Sequence, residues 1–251
     1  MGIFIRKNLK LFIYIVFIIL WSKALFCNQT DLNTAKQEFL NGNYDKSILL
    51  ASKINTVESM IFLSRVISVH TNFFKQGELA KENYLKAYNI SKKAISINES
   101  NASAYTEAAH ALGRYGQEIG IMSAITEGVA ARVKKYLDKA LALDNNDVIA
   151  NLSKGIWHAE IVNQAGTILA KGVYGAKAES ARMHFNKVIN LNSNEIAILY
   201  ELSYGYLLLS EKKDLEISHE YVEKLLDTNS ISHIDNLYKQ KAKKLLEKLV
   251  N

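Results

Sequence analysis

The stretch AYTEAAHALGRYGQEIGIMSAITEGVAARVKKYLDKALALD, Ala104 to Asp144, decides the fold, because the residues that close it recur on both sides. Its exit, Lys139-Ala140-Leu141-Ala142-Leu143-Asp144-Asn145-Asn146, has a counterpart upstream in Lys93-Ala94-Ile95-Ser96-Ile97-Asn98-Glu99-Ser100. Another lies downstream in Lys187-Val188-Ile189-Asn190-Leu191-Asn192-Ser193-Asn194. In each copy a run with apolar residues on one helical face gives way to Asp or Asn and further polar residues, which stop one helix and cap the next. Ala94 and Ala140 are 46 residues apart and Ala140 and Val188 are 48 apart. A near-constant period of this size signals stacked helical hairpins. Ala140, four residues after Tyr136, is expected to be buried where successive hairpins meet. Within the stretch Gly116, Gly120, Ala124 and Gly128 fall every fourth residue. A glycine costs roughly 1 kcal/mol against alanine in a helix interior, so these either pack against a close neighbour or break the helix. A break is expected near Gly120 to Ser123.

Working outward, apolar residues at helical spacing from Asp31 to Ile54 surround Asn41-Gly42-Asn43, which suits a tight turn between antiparallel helices. Val57 to Phe74 and Glu78 to Asn98 read as a second hairpin, with Tyr84, Leu85, Tyr88, Ala94 and Ile97 as buried positions. Ala102 to Ile119 and Ser123 to Leu143 make the third. Asp147 to Lys171, a turn at Gly172-Val173-Tyr174-Gly175, and Ala176 to Leu191 make the fourth. Glu195 to Ser210 and Lys213 to Leu226 make a fifth, and His233 to Val250 is a terminal helix with a Lys-rich outer face. No segment alternates long enough to argue for strands. The expected fold is all-α, a solenoid of about five antiparallel hairpins plus a terminal helix.

Over most of Asp31 to Asp227 the chain resembles the tetratricopeptide repeat (TPR) family. The resemblance rests on Asn41-Gly42-Asn43-Tyr44 with Ser47 and Ile48, and on the exits at Ala94, Ala140 and Val188. The period exceeds the family's usual 34 residues, as longer helices require, and the proline that follows each exit in that family is absent. Over Gly113 to Leu246 the chain is also similar to the secreted helical-repeat component of tripartite (TRAP) transporters and to the regulator-of-microtubule-dynamics group. For the former the matching residues are Tyr174-Gly175-Ala176, then Ala181 to Lys187, Asn194 to Leu207 and Lys241 to Leu246. These resemblances imply a binding or scaffold module, docking a protein partner or helping a solute-uptake system handle a small organic ligand.

With 251 residues, 49% of them hydrophobic, the chain can bury a substantial core. It has no proline and is rich in Lys, Asn and Ile, a bias that AT-rich coding produces. The formal charge of +6 owes four positives to Arg6, Lys7, Lys10 and Lys23. Without them 27 basic residues face 25 acidic ones, which argues against a nucleic-acid binder. Those four sit in a leader. Met1 to Lys10 is basic, Leu11 to Trp21 is uninterruptedly apolar, and Ser22-Lys23-Ala24 offers small residues for cleavage. Residues 1–27 therefore read as a secretory signal peptide, with a membrane anchor over 11–27 as the alternative, and residues 28–251 as the repeat domain. The expected location is exported, in the periplasm, with the mature chain starting between Leu25 and Asn28. Cys27 is the single cysteine, so no internal disulfide can form; a lipidated Cys27 would want a smaller residue than Phe26 before it.

The common signatures of zinc hydrolases, phosphate-binding loops, serine nucleophile elbows and dithiol redox sites are missing, so no enzyme and no cofactor is expected. His158 and Glu160 are two apart, which points them to opposite sides of a helix rather than at one metal. The informative residues are polar ones on helices otherwise built for a core. His110, Arg114 and Glu118 lie on one face, and Trp157, Glu160 and Gln164 make a comparable strip on the next first helix. Two readings stand. Arg114 and Glu118 satisfy each other as an intrahelical pair, or both strips line the concave face of a superhelix and hold a partner.

Overall fold

A computed structural model describes residues 31–250 apart from 192. The leader and its cleavage, anchoring or lipidation at Cys27 lie outside the described residues. Among these, every regular element is helical. Helix α1 (31–40) and α2 (Tyr44–Ser52) form the first hairpin, α3 (Val57–Phe74) and α4 (Gly77–Ile97) the second, and α5 (Ala102–Ile119) and α7 (Val129–Leu143) the third, with the short α6 (Ile121–Thr126) between them. The fourth pairs α8 (Val148–Leu169) with α9 (Ala178–Asn190), the fifth pairs α10 (Ile196–Leu209) with α11 (Lys212–Asp227), and α12 (His233–Val250) follows.

The exits after Ala94 and Ala140 are built alike, whereas the one after Val188 ends with Leu191 N donating to Lys187 O and opens α10 without a side-chain cap. The backbone N–H of Asn98 donates to Ala94 O at 3.0 Å and that of Asp144 to Ala140 O at 2.8 Å. The Asn98 and Asp144 side chains then accept from Ser100 N and Asn146 N. Three residues on, Asn101 and Asp147 cap α5 and α8 by accepting from Ala104 N at 3.1 Å and Ala150 N at 2.9 Å. One polar side chain thus closes a helix and another opens the next, satisfying backbone groups that a helix end leaves over. Ala94, Ala140 and Val188 are all buried, while Ile97, expected inside, is 56% exposed. It is the last residue of α4.

The glycine stripe resolves into both of its alternatives. Gly116 is a close approach, since a Cβ there would lie 2.9 Å from Val129 Cγ1 on α7. Gly120 and Gly128 are breaks, with φ of 78° and 63°, conformations in which a side chain is strained. The second helix of this hairpin therefore starts at Val129 rather than Ser123, because the chain turns twice. A further break at Gly166 (φ 72°, ψ 159°) kinks α8, and a π-helical turn, Ala170–Tyr174, replaces its expected end.

Successive first helices pack on one another, α3 on α5, α5 on α8 and α8 on α10, while each second helix fills the crease between two first helices. The first helices are therefore the inner, concave layer of the stack. Ion pairs bridge its junctions: Arg65 with Glu107, Lys154 with Asp138, and Arg182 with Asp214. Glu107 is fully buried, and both Arg65 bonds, at 2.7 and 2.6 Å, fall on its Oε1.

Helix α12 does more than cap the last hairpin. Ile234, Tyr238, Ala242 and Leu245 share a core with α10 and α11, and Phe39 of α1 and Val69 and Phe73 of α3 pack against that same core. The stack therefore closes on itself across its concave side.

Candidate functional site

The concave layer carries a polar chain across three hairpins. Arg114 on α5 donates to Glu201 of α10 at 2.6 Å and to Gln117 Oε1 at 3.2 Å. Gln117 donates to Glu160 Oε1 of α8 at 3.0 Å, and the Tyr204 hydroxyl of α10 donates to the same oxygen at 2.9 Å. The result is a continuous strip, Glu201–Arg114–Gln117–Glu160–Tyr204. Burial works against the Arg114 charge, but Glu201 more than offsets it and the guanidinium pKa goes up. The pair neutralises itself, whereas Glu160 has no cationic partner among the described residues. With exposed Glu118 one turn beyond Arg114, the strip is acidic.

The sequence-derived candidates divide. Arg114 and Glu160 come together, through Gln117. The Arg114–Glu118 pair, one of the two readings, is replaced by Arg114–Glu201: α10 comes within reach and Glu118 is left in solvent. His110 borders the strip, 28% exposed, with Nδ1 3.9 Å from Glu107. Burial, Arg114 and Arg65 push its pKa down to about 3, so it stands neutral. Gln164 is exposed near the Gly166 kink and stands apart from the strip. Trp157 is not part of the concave face. It is buried on the other side of α8, its indole N–H donating to Ala130 O of α7 at 2.9 Å, with Lys154 5.0 Å over its ring. Gln117, Glu201 and Tyr204 were missed. The available signal was a lone carboxylate in the strongly apolar α10, ILYELSYGYLLL, which a buried position tolerates only with a partner.

His158 and His184 form a second polar cluster between α8 and α9, rings stacked 6.0 Å apart. His158 Nδ1 accepts from the Lys177 backbone N–H at 3.2 Å, so that nitrogen carries no proton. Asn151 spends both amide hydrogens on Asn145 O and Asp147 O, so its Oδ1 must accept from His184 Nδ1. Burial, then Lys154, lowers both imidazole pKa values to about 4 from 6.5. Between those values the unfolded chain binds protons that the folded one refuses, so stability falls as pH drops through this window and is level above it. Urea midpoints should decline between pH 6.5 and 4, and the decline should shrink in His158→Gln. An equal decline in the variant would place the titration elsewhere.

Among the described residues, no group of three His, Cys, Asp or Glu side chains converges as a metal site would need, and no helix is long and apolar enough to cross a membrane.

Inner and outer layers of paired helices, a cap repeated at the exits after Ala94 and Ala140, and a concave polar strip define a TPR-like helical-repeat protein. The family described as Regulator of microtubule dynamics protein 1-3 matches residues 27–250, and the chain belongs to it. The crystal structure of a thermophilic TPR protein from Thermus thermophilus is similar at a TM-score of 0.60 and 15% identity, over 88% of this chain and 99% of that one. No curated protein matches the chain. The structural likeness speaks for the fold.

Proposed function

We propose that the protein is a non-catalytic interaction scaffold that docks a protein partner on its concave face, in the cell envelope, after export by its leader. The observation that carries this reading is the strip from Glu201 to Tyr204. It spans three hairpins, is only partly covered, and leaves Glu160 without a cationic partner among the described residues, so a partner's basic side chain would complete it. The alternative of a small carboxylate ligand would need a free guanidinium. Arg114 is already held by Glu201 at 2.6 Å, which favours the protein partner. The family's name refers to microtubule dynamics; for this chain we carry over the scaffold alone.

A photoreactive side chain in place of Glu118, on the Arg114 face of α5, should cross-link a partner in envelope extract, whereas one in place of Asn89 on α4 should not. Cross-linking from Asn89 alone would move the docking surface to the outer layer. Export is tested separately: N-terminal sequencing should find the mature chain starting between Leu25 and Asn28. Recovery of chains that keep Met1 would contradict cleavage.

A further inference from the structure

Helix α8 ends on a tip whose side chains are arranged the wrong way round for a turn that only closes a hairpin. Between Gly166 (φ 72°) and Gly175 (φ 69°), Ala170 is fully buried, and Ala176 follows it into the core shared with Ala124 and Val129 of the third hairpin. The large aliphatics of the same turn face outward: Ile168 is 88% exposed, Leu169 60% and Val173 67%. Folding alone favours the opposite arrangement, because each exposed aliphatic forgoes the gain of leaving water. We propose that this tip is a membrane-docking wedge, and that its occupant is the surface of an anionic lipid bilayer.

Charge names the lipid. From Ile161 to Ala178 the chain carries Lys171 and Lys177 and no acidic residue. Both lysines are exposed, and neither pairs with a carboxylate among the described residues. One cation within the tip and one at its base suit a layer of phosphate headgroups, each worth about fivefold in partitioning to an anionic surface. Their stems can lie along the aliphatic side chains while the ammonium groups stay at headgroup level. The adjoining turn of the third hairpin adds Arg132 and Glu127, whose charges balance, and Glu127 already accepts from the Tyr115 hydroxyl at 3.1 Å.

The backbone suits entry as well. Ala176 N–H donates to Ala170 O at 2.9 Å and Gly175 N–H to Lys171 O at 3.2 Å, so the turn spends polar groups on itself, as a segment touching hydrocarbon must. A protein partner fits the tip less well, since protein interfaces lean on aromatic and arginine anchors. Tyr174, the aromatic residue of the turn, packs inward against the core. None of these residues belongs to the concave strip, so bilayer and partner do not compete for side chains.

The test uses the chain as cells process it, in a Cys27→Ser background that removes the one cysteine and with it any lipidation there. A polarity-sensitive dye on Val173→Cys should shift to the blue on adding vesicles of phosphatidylglycerol and phosphatidylcholine, and lipids brominated in their acyl chains should quench it. The same dye on Asn89→Cys, exposed on α4, should do neither. A retained leader would tether both positions equally, so the comparison between them reads the tip alone. Vesicles of phosphatidylcholine alone should need at least about tenfold more lipid for the same shift, and Lys171→Gln with Lys177→Gln should abolish that preference. Ile168→Ser should raise the lipid needed by at least about fivefold. Its melting temperature should stay that of the parent, because the side chain is already in water. A lower melting temperature with an unchanged lipid titration would make the tip structural and overturn the proposal. So would no shift with either vesicle, or equal shifts at positions 89 and 173. A blue shift that grows with protein concentration and needs no lipid would assign the tip to a contact between copies of the chain, again against the proposal.

Discussion

Phe185→Ala should lower the stability of the chain by about 3–5 kcal/mol, the range for emptying a buried phenylalanine site. Phe185 on α9 is fully buried, and two glycines from different helices both approach the Cε1–Cζ edge of its ring. A Cβ at Gly155 of α8 would overlap its Cε1 and Cδ1, and one at Gly205 of α10 would overlap its Cζ. The ring therefore fills the space that lets the fourth and fifth hairpins approach, and removing it leaves a cavity that two helices cannot collapse into without sliding. The converse holds too. Gly155→Ala should destabilise because the new methyl would overlap a ring that Gly205 also crowds, and Phe185→Leu should relieve that defect. A double-mutant cycle on Gly155→Ala and Phe185→Leu, read from urea denaturation, should show coupling of about 1 kcal/mol or more. Additive losses would mean the two do not touch.

Ala140→Glu should cost about 3–5 kcal/mol, since an unpaired charge in a packed site adds desolvation to overpacking. Ala140 is fully buried at the end of α7, and its carbonyl accepts the Asp144 N–H that ends the helix. The side chain has no route to solvent there. Ala142→Glu, two residues on at a position that is not buried, should shift stability by less than about 0.5 kcal/mol. If the two variants melt alike, the recurring exit motif is surface and the repeat register is wrong.

The repeat architecture was legible because its signals are local. Asp or Asn after an apolar helical run closes one helix and caps the next whatever surrounds it, and the cap geometry at Asn98–Asn101 returns at Asp144–Asp147. The breaks were half legible. Gly120 fell where expected, but Gly128 and Gly166 turn the chain at places where the apolar pattern runs on and masks them. The site was legible in kind and less so in membership. Arg114 and Glu160 stood out as polar residues at helical spacing. Their true partners, Glu201 and Gln117, depend on the curvature of the stack, which no spacing within one helix encodes. Trp157 shows the same limit: amphipathic spacing places it on α8 but cannot say which side of α8 faces α7. The position of α12 depends most on tertiary structure. Its sequence shows an apolar face to be covered, and only the closed stack shows that the first and second hairpins help to cover it.

The inner strip acts either as a binding surface, as proposed, or as cement between hairpins. Glu160→Gln separates the two, because the amide oxygen can still accept from Gln117 and Tyr204 while the charge is gone. The decisive measurement is the affinity of the partner cross-linked at position 118 for this variant, with the melting temperature read alongside. A binding strip predicts a loss of about tenfold in affinity with a shift in melting temperature under about 2 °C. Unchanged affinity, with or without a fall in melting temperature, would contradict it.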